Sequence, residues 1–417
     1  MINFEKLEGP FGIPVYYQRM PDIIRSVSMG WVVFAGAADD ESIGAPGLYH
    51  WFEHVPFRGT KKYPSNIDDI FTRYNGKINA RTNALGTFYH VHVPLVIWKT
   101  SLSVVTDLFA QPLLREEDIE AERKIIGEEI KKCKSGSRGY AYYHFPKMLW
   151  SKHPYGHHTL GTERTLRSMN VSTLRKAYEL GYDRSRCAFF FVGNIAKKEL
   201  LSELQSLSGV LPDNGLSELR SPPCRGKMPW SHGGQITIEE TEFSSSIVMM
   251  LFPIKEKGSK TSVLKNGTIK DLFGFGGLGS PFAKTVREKY QLAYSMSVEY
   301  DQFPDGGYLN FFVETSEDKI DQVIQAIKEV LKDSSVYSQK RFEEVREGFL
   351  YSLQTMSFDP RSFQETAIGM LLSSGEVINE KEMVESISKI TLEDVRKWVQ
   401  ELNLDNARVL VFKGMGK

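Results

Sequence analysis

No stretch of the 417 residues approaches the ~18 consecutive apolar residues that a bilayer-crossing helix needs, so no membrane partner is expected. Cysteine is scarce. Cys133, Cys187 and Cys224 are the only three, none in a C-x-x-C pair, and an odd, sparse set fits a reducing compartment rather than a disulfide framework. An excess of one charge is also missing, because 52 Lys and Arg balance 52 Asp and Glu. That removes the usual signature of a nucleic-acid partner and of a disordered acidic arm. The opening MINFEKLEGPFG has neither an apolar h-region nor the Arg-rich, acid-free character of a presequence, so a cytoplasmic location is expected. What remains is an ordinary composition, 41% hydrophobic and 25% charged, in a chain long enough for about two domains.

Periodicity places the elements. Residues 26–35 alternate, with Val27, Met29, Trp31 and Val33 on one side, which predicts a half-buried strand. A helix is expected from Pro46, a favoured first-turn residue, to about Gly59. Strands are expected over 87–93, 188–192 and 246–254, and helices over about 96–110, 116–133, 172–181, 317–332, 338–355 and 391–401. Residues 212–234 carry Pro212, Pro222, Pro223 and Pro229 among Gly and Ser, break the periodicity and read as a linker. The expected domains are therefore 1–211 and 235–417. Both end alike, in a helix opened by Thr-Leu, a short gap and a strand closed by Gly; Thr173 matches Thr391 and Gly193 matches Gly414. Such self-similarity suggests a duplicated α+β unit, and neither half alternates strand and helix as a parallel βαβ sheet does.

The chemistry concentrates in GLYHWFEHVPF, where His50, Glu53 and His54 form H-x-x-E-H. On a helix, positions i and i+4 share a face, so both imidazoles can reach one metal, and Glu53 flanks that face. The order is the reverse of H-E-x-x-H with the same mechanical logic: two ligands, and a carboxylate placed to take a proton from water. Leu48, Trp51, Phe52, Val55 and Phe57 make the segment strongly apolar, which argues against a solvated face with incidental histidines. A catalytic zinc needs a third protein ligand. In EEDIEAERKIIGEEIKKC, Glu122, Ile126, Glu129 and Cys133 fall on one stripe, and carboxylates within an apolar stripe need a compensating cation. Glu129 or Glu122 is thus the third ligand and the other supports it; an acidic helix bridged to Arg123 and Lys131 is the plainer alternative. His90 and His92 alternate on a strand and fit polar neighbours on a sheet surface better than a metal. The glycine-rich Gly274–Ser280 stretch lacks G-K-[ST], which argues against a phosphate loop.

These segments resemble the pitrilysin/insulinase-type inverzincin metallopeptidases, and look closest to the mitochondrial processing peptidase and its short bacterial relatives. Gly47-Leu48-Tyr49-His50, Glu53-His54, Phe57-Arg58-Gly59-Thr60 and Tyr63-Pro64 follow the family's text, as does the second signature from Glu122-Arg123 to Glu128-Glu129-Ile130. The resemblance implies that Glu129 is the metal ligand and that Glu122 has a supporting role. Asn79-Ala80, with Thr82 and Tyr89, resembles the family's edge strand, which holds substrate backbone by strand addition. Here Leu85-Gly86 replaces a polar-acidic pair. Arg287 to Ser295 resembles R-E-K-x-G-L-A-Y-S, whose Arg and Tyr contact substrate backbone, with Gln291 standing where the family has Gly.

The resemblance therefore implies an α+β chain of two homologous α/β-sandwich domains in a clamshell arrangement. The second domain is an inactive repeat, because it has no H-x-x-E-H. It implies a Zn2+ endopeptidase with His50, His54 and Glu129 as ligands, Glu53 as base and Glu122 in support. Asn79, Ala80, Arg287 and Tyr294 would position a peptide or unfolded polypeptide inside a chamber. Both signatures lie in one chain, so a homodimer is expected rather than a heterodimer. The reading from another class is a peptide-binding or assembly subunit that keeps the metal without turnover; the intact Glu53 argues against it.

Overall fold

The computed structural model describes residues 3–150, 152–211, 225–226, 228, 235–356, 358–402 and 404–416. Apart from Arg225, Gly226 and Met228, the expected linker over 212–234 lies outside the described residues. The chain divides into two compact units. One takes Met1–Lys131, Pro154–Pro223 and Gln354–Glu380, and the other Lys132–His153, Cys224–Leu353 and Lys381–Lys417. Each unit is a half of the sequence plus one segment from the other half.

The first unit holds β1 (Glu5–Glu8), β2 (Pro14–Arg19), β3 (Ser26–Val33), β4 (Lys77–Thr82), β5 (Thr87–Pro94) and β6 (Cys187–Gly193), in the order β1-β2-β6-β3-β5-β4. The second holds β7 (Ile236–Thr241), β8 (Ser246–Ile254), β9 (Ser295–Phe303), β10 (Gly306–Thr315) and β11 (Arg408–Gly414), in the order β7-β11-β8-β10-β9. Setting β1 aside, both sheets run first, fifth, second, fourth, third. In each the first and fifth strands are parallel and the other pairs antiparallel. Duplication of one α+β unit is thus visible in the topology itself. The equivalence of helix starts shifts, however. Asn170 caps the helix Val171–Gly181, so Thr173 lies inside it, whereas Thr391 itself caps Leu392–Glu401 with a capping box to Asp394.

The strand over 26–33 is not half-buried. Its residues from Val27 to Val33 are all buried, because β3 is central and helices cover both faces. On one side lies α3 (Trp98–Ala110), where Trp31 stacks on Phe109 with centroids 4.7 Å apart. On the other lies the helix Pro360–Ser374, distant in sequence, whose fully buried Gln364 accepts a hydrogen bond from the Ser28 hydroxyl. The second unit is built alike. Helices Lys260–Gly274 and Ile320–Lys332 cover one face of its sheet over a core of Phe252, Phe273, Phe311 and Val323, and α5 (Ser137–Trp150) covers β8 and β11. Each unit is therefore an α/β sandwich closed by one helix from the opposite half. Among the described residues, no helix is long and apolar enough to cross a membrane.

The helix expected from Pro46 to Gly59 is shorter. α1 spans Leu48–His54, entered through Gly47 at φ 92°, and Val55–Arg58 continues as a 3-10 turn. Pro56 is the cause, since it has no N–H to extend the α ladder. The two remaining helices near the site are α2 (Ile67–Thr72) and α4 (Glu116–Lys134).

Candidate metal centre

α1 is only seven residues long, too short to stand alone, and its ends are held from outside. At the N-terminal end, the fully buried Asp40 carboxylate accepts from the backbone N–H of Gly47 at 2.7 Å and of Tyr49 at 3.0 Å. At the other end, the Phe52 carbonyl would take its bond from residue 56, which is proline. The Tyr89 hydroxyl donates to it instead at 3.2 Å. Tyr89 is fully buried and its hydroxyl also meets that of Tyr182 at 3.0 Å. Neither Asp40 nor the Tyr89 hydroxyl was assigned this work from sequence; Pro56 four residues after Phe52 is the signal for Tyr89, and Asp40 sits in an ordinary-looking acidic loop.

Helical spacing then brings the imidazoles of His50 and His54 together, with ring centroids 4.6 Å apart. From α4, the Glu129 carboxylate sets one oxygen, Oε2, 3.7 Å from Nε2 of both histidines. Ligands at zinc distances in a tetrahedron stand about 3.3 Å apart, so each imidazole would close on Glu129 with a shift of a few tenths of an ångström. Two imidazoles and one carboxylate, without sulfur, is a donor set suited to catalytic zinc. Glu53 also offers an oxygen within 4.8 Å of ligand atoms of both histidines. Thr82 of β4 donates to its carboxylate, and Oε2 is left buried without a partner among the described residues.

Glu122 is buried, about two helical turns before Glu129, and does not converge on the two Nε2 atoms. Its Oε2 lies 2.9 Å from Nδ1 of His54, while its Oε1 accepts from Nε of Arg58. Burial pushes the Glu122 carboxyl up, but the bonds from His54 and Arg58 outweigh it and hold the group below its usual range. An ionised Glu122 makes Nδ1 of His54 the protonated nitrogen and leaves the Nε2 lone pair free. For His54 itself burial works downward, and the bond to Glu122 with the charges of Glu129 and Glu53 carries the net value upward. Burial, then the neighbouring His54 and His158, pulls His50 down to about 3, so it offers a neutral ring. Burial pushes the Glu53 carboxyl up, against the Thr82 bonds. Arg58, which sequence alone gives no role, is the residue that holds Glu122.

Asn79 and Ala80 stand on β4, the edge strand beside the helix, Asn79 exposed and Ala80 buried. Arg287 and Tyr294 belong to the second unit, where they border a pocket of about 500 Å³ with Gly274, Ser280 and Ser297. Arg287 sits in the π-helical turn Lys284–Lys289 and Tyr294 is 71% exposed. Other acids of α4 are solvated: Glu117 and Glu128 are 74% and 73% exposed, with Glu128 bridged to Lys131. His90 and His92 lie away from the donor set, beside Arg361.

Known proteins are similar to this chain in sequence and in fold. The family model described as Insulinase (Peptidase family M16) matches residues 22–163, and the one described as Peptidase M16 inactive domain matches 168–349. A protein of Rickettsia bellii named as an uncharacterized zinc protease is 23% identical over 396 residues, 94% of this chain and 93% of its own length. Another so named from Bacillus subtilis is 24% identical over 401 residues, again 94% and 93%. In fold, a protease from Helicobacter pylori superposes with a TM-score of 0.88 at 16% identity, covering 99% of this chain and all of its own. A peptidase M16 inactive domain structure from Pseudomonas fluorescens gives 0.83 at 15% identity, covering 99% of each.

Proposed function

This chain belongs to the insulinase (M16) family of peptidases, and from that premise we propose that it is a zinc metalloendopeptidase acting on short or unfolded polypeptides. The observation that carries this is the meeting of two imidazole Nε2 atoms at one carboxylate oxygen, each at 3.7 Å, with a buried glutamate beside them. His50, His54 and Glu129 would hold the zinc. When bound, zinc lowers the pKa of water towards about 7 and polarises a carbonyl oxygen. Glu53 takes the proton of the attacking water on Oε2 and returns it to the leaving amine. Burial raises its proton affinity, which suits a base that must also act as an acid. Glu122 fixes the His54 tautomer, and Arg58 fixes Glu122. β4 receives the extended substrate backbone through its free edge, with Asn79 and Ala80 in contact. Backbone contacts from Arg287 and Tyr294, an enclosing chamber and a homodimer are proposals that rest on the family resemblance alone.

Metal analysis of wild type against His50→Ala should show about one zinc per chain lost; equal zinc in both overturns the ligand set. Wild type should cleave an unstructured fluorogenic peptide, stop on chelation and recover with zinc. Glu53→Gln should keep zinc and lose about 10²–10⁴-fold in rate. Near-normal cleavage by that zinc-loaded variant would assign the base elsewhere.

A further inference from the structure

The free edge of the first sheet carries charge that the metal centre does not use. Among the described residues β4 pairs with β5 alone. Directly opposed residues share a face, so Ile78, Ala80 and Thr82 lie with Val91, Tyr89 and Thr87 on one side. That side meets α1, where Thr82 donates to Glu53. Lys77, Asn79 and Arg81 lie with His92, His90 and Phe88 on the other. Lys77 and Arg81 are exposed, and neither has a carboxylate partner in an ion pair among the described residues. Beside Lys77 and Asn79 this face opens into a pocket of about 350 Å³, bordered also by His90, His92, Arg361 and Asp68. Arg361 is paired with Glu365 at 2.8 Å and Asp68 adds a carboxylate, so the wall is mixed in charge. The unpaired positive charge is on the strand.

An extended peptide that joins this edge sends alternate side chains to the two faces. Those on the outer face become direct cross-strand neighbours of Lys77 and Arg81, with Cβ atoms about 4.5–5.5 Å apart. We propose that the protein selects substrates carrying acidic side chains at two positions four residues apart, one facing Arg81 and one facing Lys77. This rests on the peptidase reading and extends it to substrate class. Arg81 adjoins Thr82, which touches Glu53, so the first position lies within about two residues of the scissile bond. At about 3.3 Å per residue, the second lies about 13 Å farther along the strand. Cations on a free edge also serve simply to prevent edge-to-edge association, a role that needs no substrate preference.

The test uses zinc-loaded Glu53→Gln protein, which should bind without cutting, and labelled twelve-residue peptides in which Glu, Gln or Lys is scanned through every position. Fluorescence anisotropy should show two positions, four apart, where Glu binds about 1.5–5-fold tighter than Gln and Lys binds weaker. The preference should shrink in 0.5 M salt. Lys77→Glu and Arg81→Glu, each at an exposed site, should reverse it at one position apiece. A charge preference that ignores both reversals, or no preference in peptides that bind and are cleaved by wild type, overturns the proposal and leaves the cations as edge guards. Persistence of the preference in binding, with no cleavage by wild type, would instead overturn the peptidase reading alone. Absence of both binding and cleavage overturns both.

Discussion

The hold that Tyr89 exerts on the metal helix is open to a single-atom test. Tyr89→Phe removes one hydroxyl and leaves the buried ring in place. The Phe52 carbonyl then has no donor, because the residue four positions on is Pro56 and the Tyr89 hydroxyl at 3.2 Å is gone. A buried polar group left unpaired costs about 1–3 kcal/mol. Tyr182 loses its 3.0 Å partner too, though it keeps a hydrogen bond with Thr87, so its share falls at the low end. Together the loss is about 2–4 kcal/mol, or roughly 4–16 °C in the melting temperature of a unit this size. Phe52 directly precedes Glu53 and His54, so the variant should also bind zinc more weakly. Thermal melting by circular dichroism and zinc competition with a chelating dye measure the two effects. Tyr178→Phe is the control: its ring stacks on Phe52 and stays in place, while its hydroxyl donates to the Ala110 carbonyl at 2.8 Å rather than to α1, so it should lower stability and spare zinc affinity. A Tyr89→Phe protein that melts within 1 °C of wild type with unchanged zinc affinity would refute the reasoning.

Three further outcomes are expected. Glu122→Gln should keep zinc stoichiometry while losing about 10–100-fold in affinity or activity, and Glu129→Gln should lose more affinity than that; the reverse order would exchange their roles. Asp40→Asn turns one of the two acceptor oxygens into a donor facing the N–H of either Gly47 or Tyr49, and should destabilise the first unit by about 1.5–3 kcal/mol in urea unfolding; an unchanged midpoint would deny Asp40 its capping role. Gln291 sits at φ 53°, the left-handed region, where the family pattern has Gly. Gln291→Gly should relieve about 1 kcal/mol of backbone strain, partly offset by greater freedom in the unfolded chain; a lower melting temperature than wild type would show that the residue is not strained.

The candidate metal centre is legible to the degree that it is local. His50, Glu53 and His54 share a face because the helix repeats every 3.6 residues, and Glu129 stands in an apolar stripe with the same period. Strands such as Ser246–Ile254 and helices such as Glu116–Lys134 were readable for the same reason. Pattern without partners went wrong in identifiable places. The strand Ser26–Val33 reads as half-buried because its second face, with Ser28 and Gly30, is not apolar. The helix Pro360–Ser374, more than 300 residues away, closes that face, with Gln364 meeting Ser28. The roles of Glu122 and Glu129 stayed open on periodicity, since both lie on the stripe. What separates them is reach: Glu129 lies 3.7 Å from both Nε2 atoms, and Glu122 meets Nδ1 of His54 and Arg58.

Sequence alone, then, determined which residue types could bind a metal and on which helical face, because those properties depend on spacing along one element. Tertiary structure decided which strand is the free edge, which helices close each sheet, and which groups hold a seven-residue helix in place. Those outcomes depend on buried hydrogen bonds between residues tens to hundreds of positions apart, such as Tyr89 to Phe52 and Ser28 to Gln364, and no local period records them.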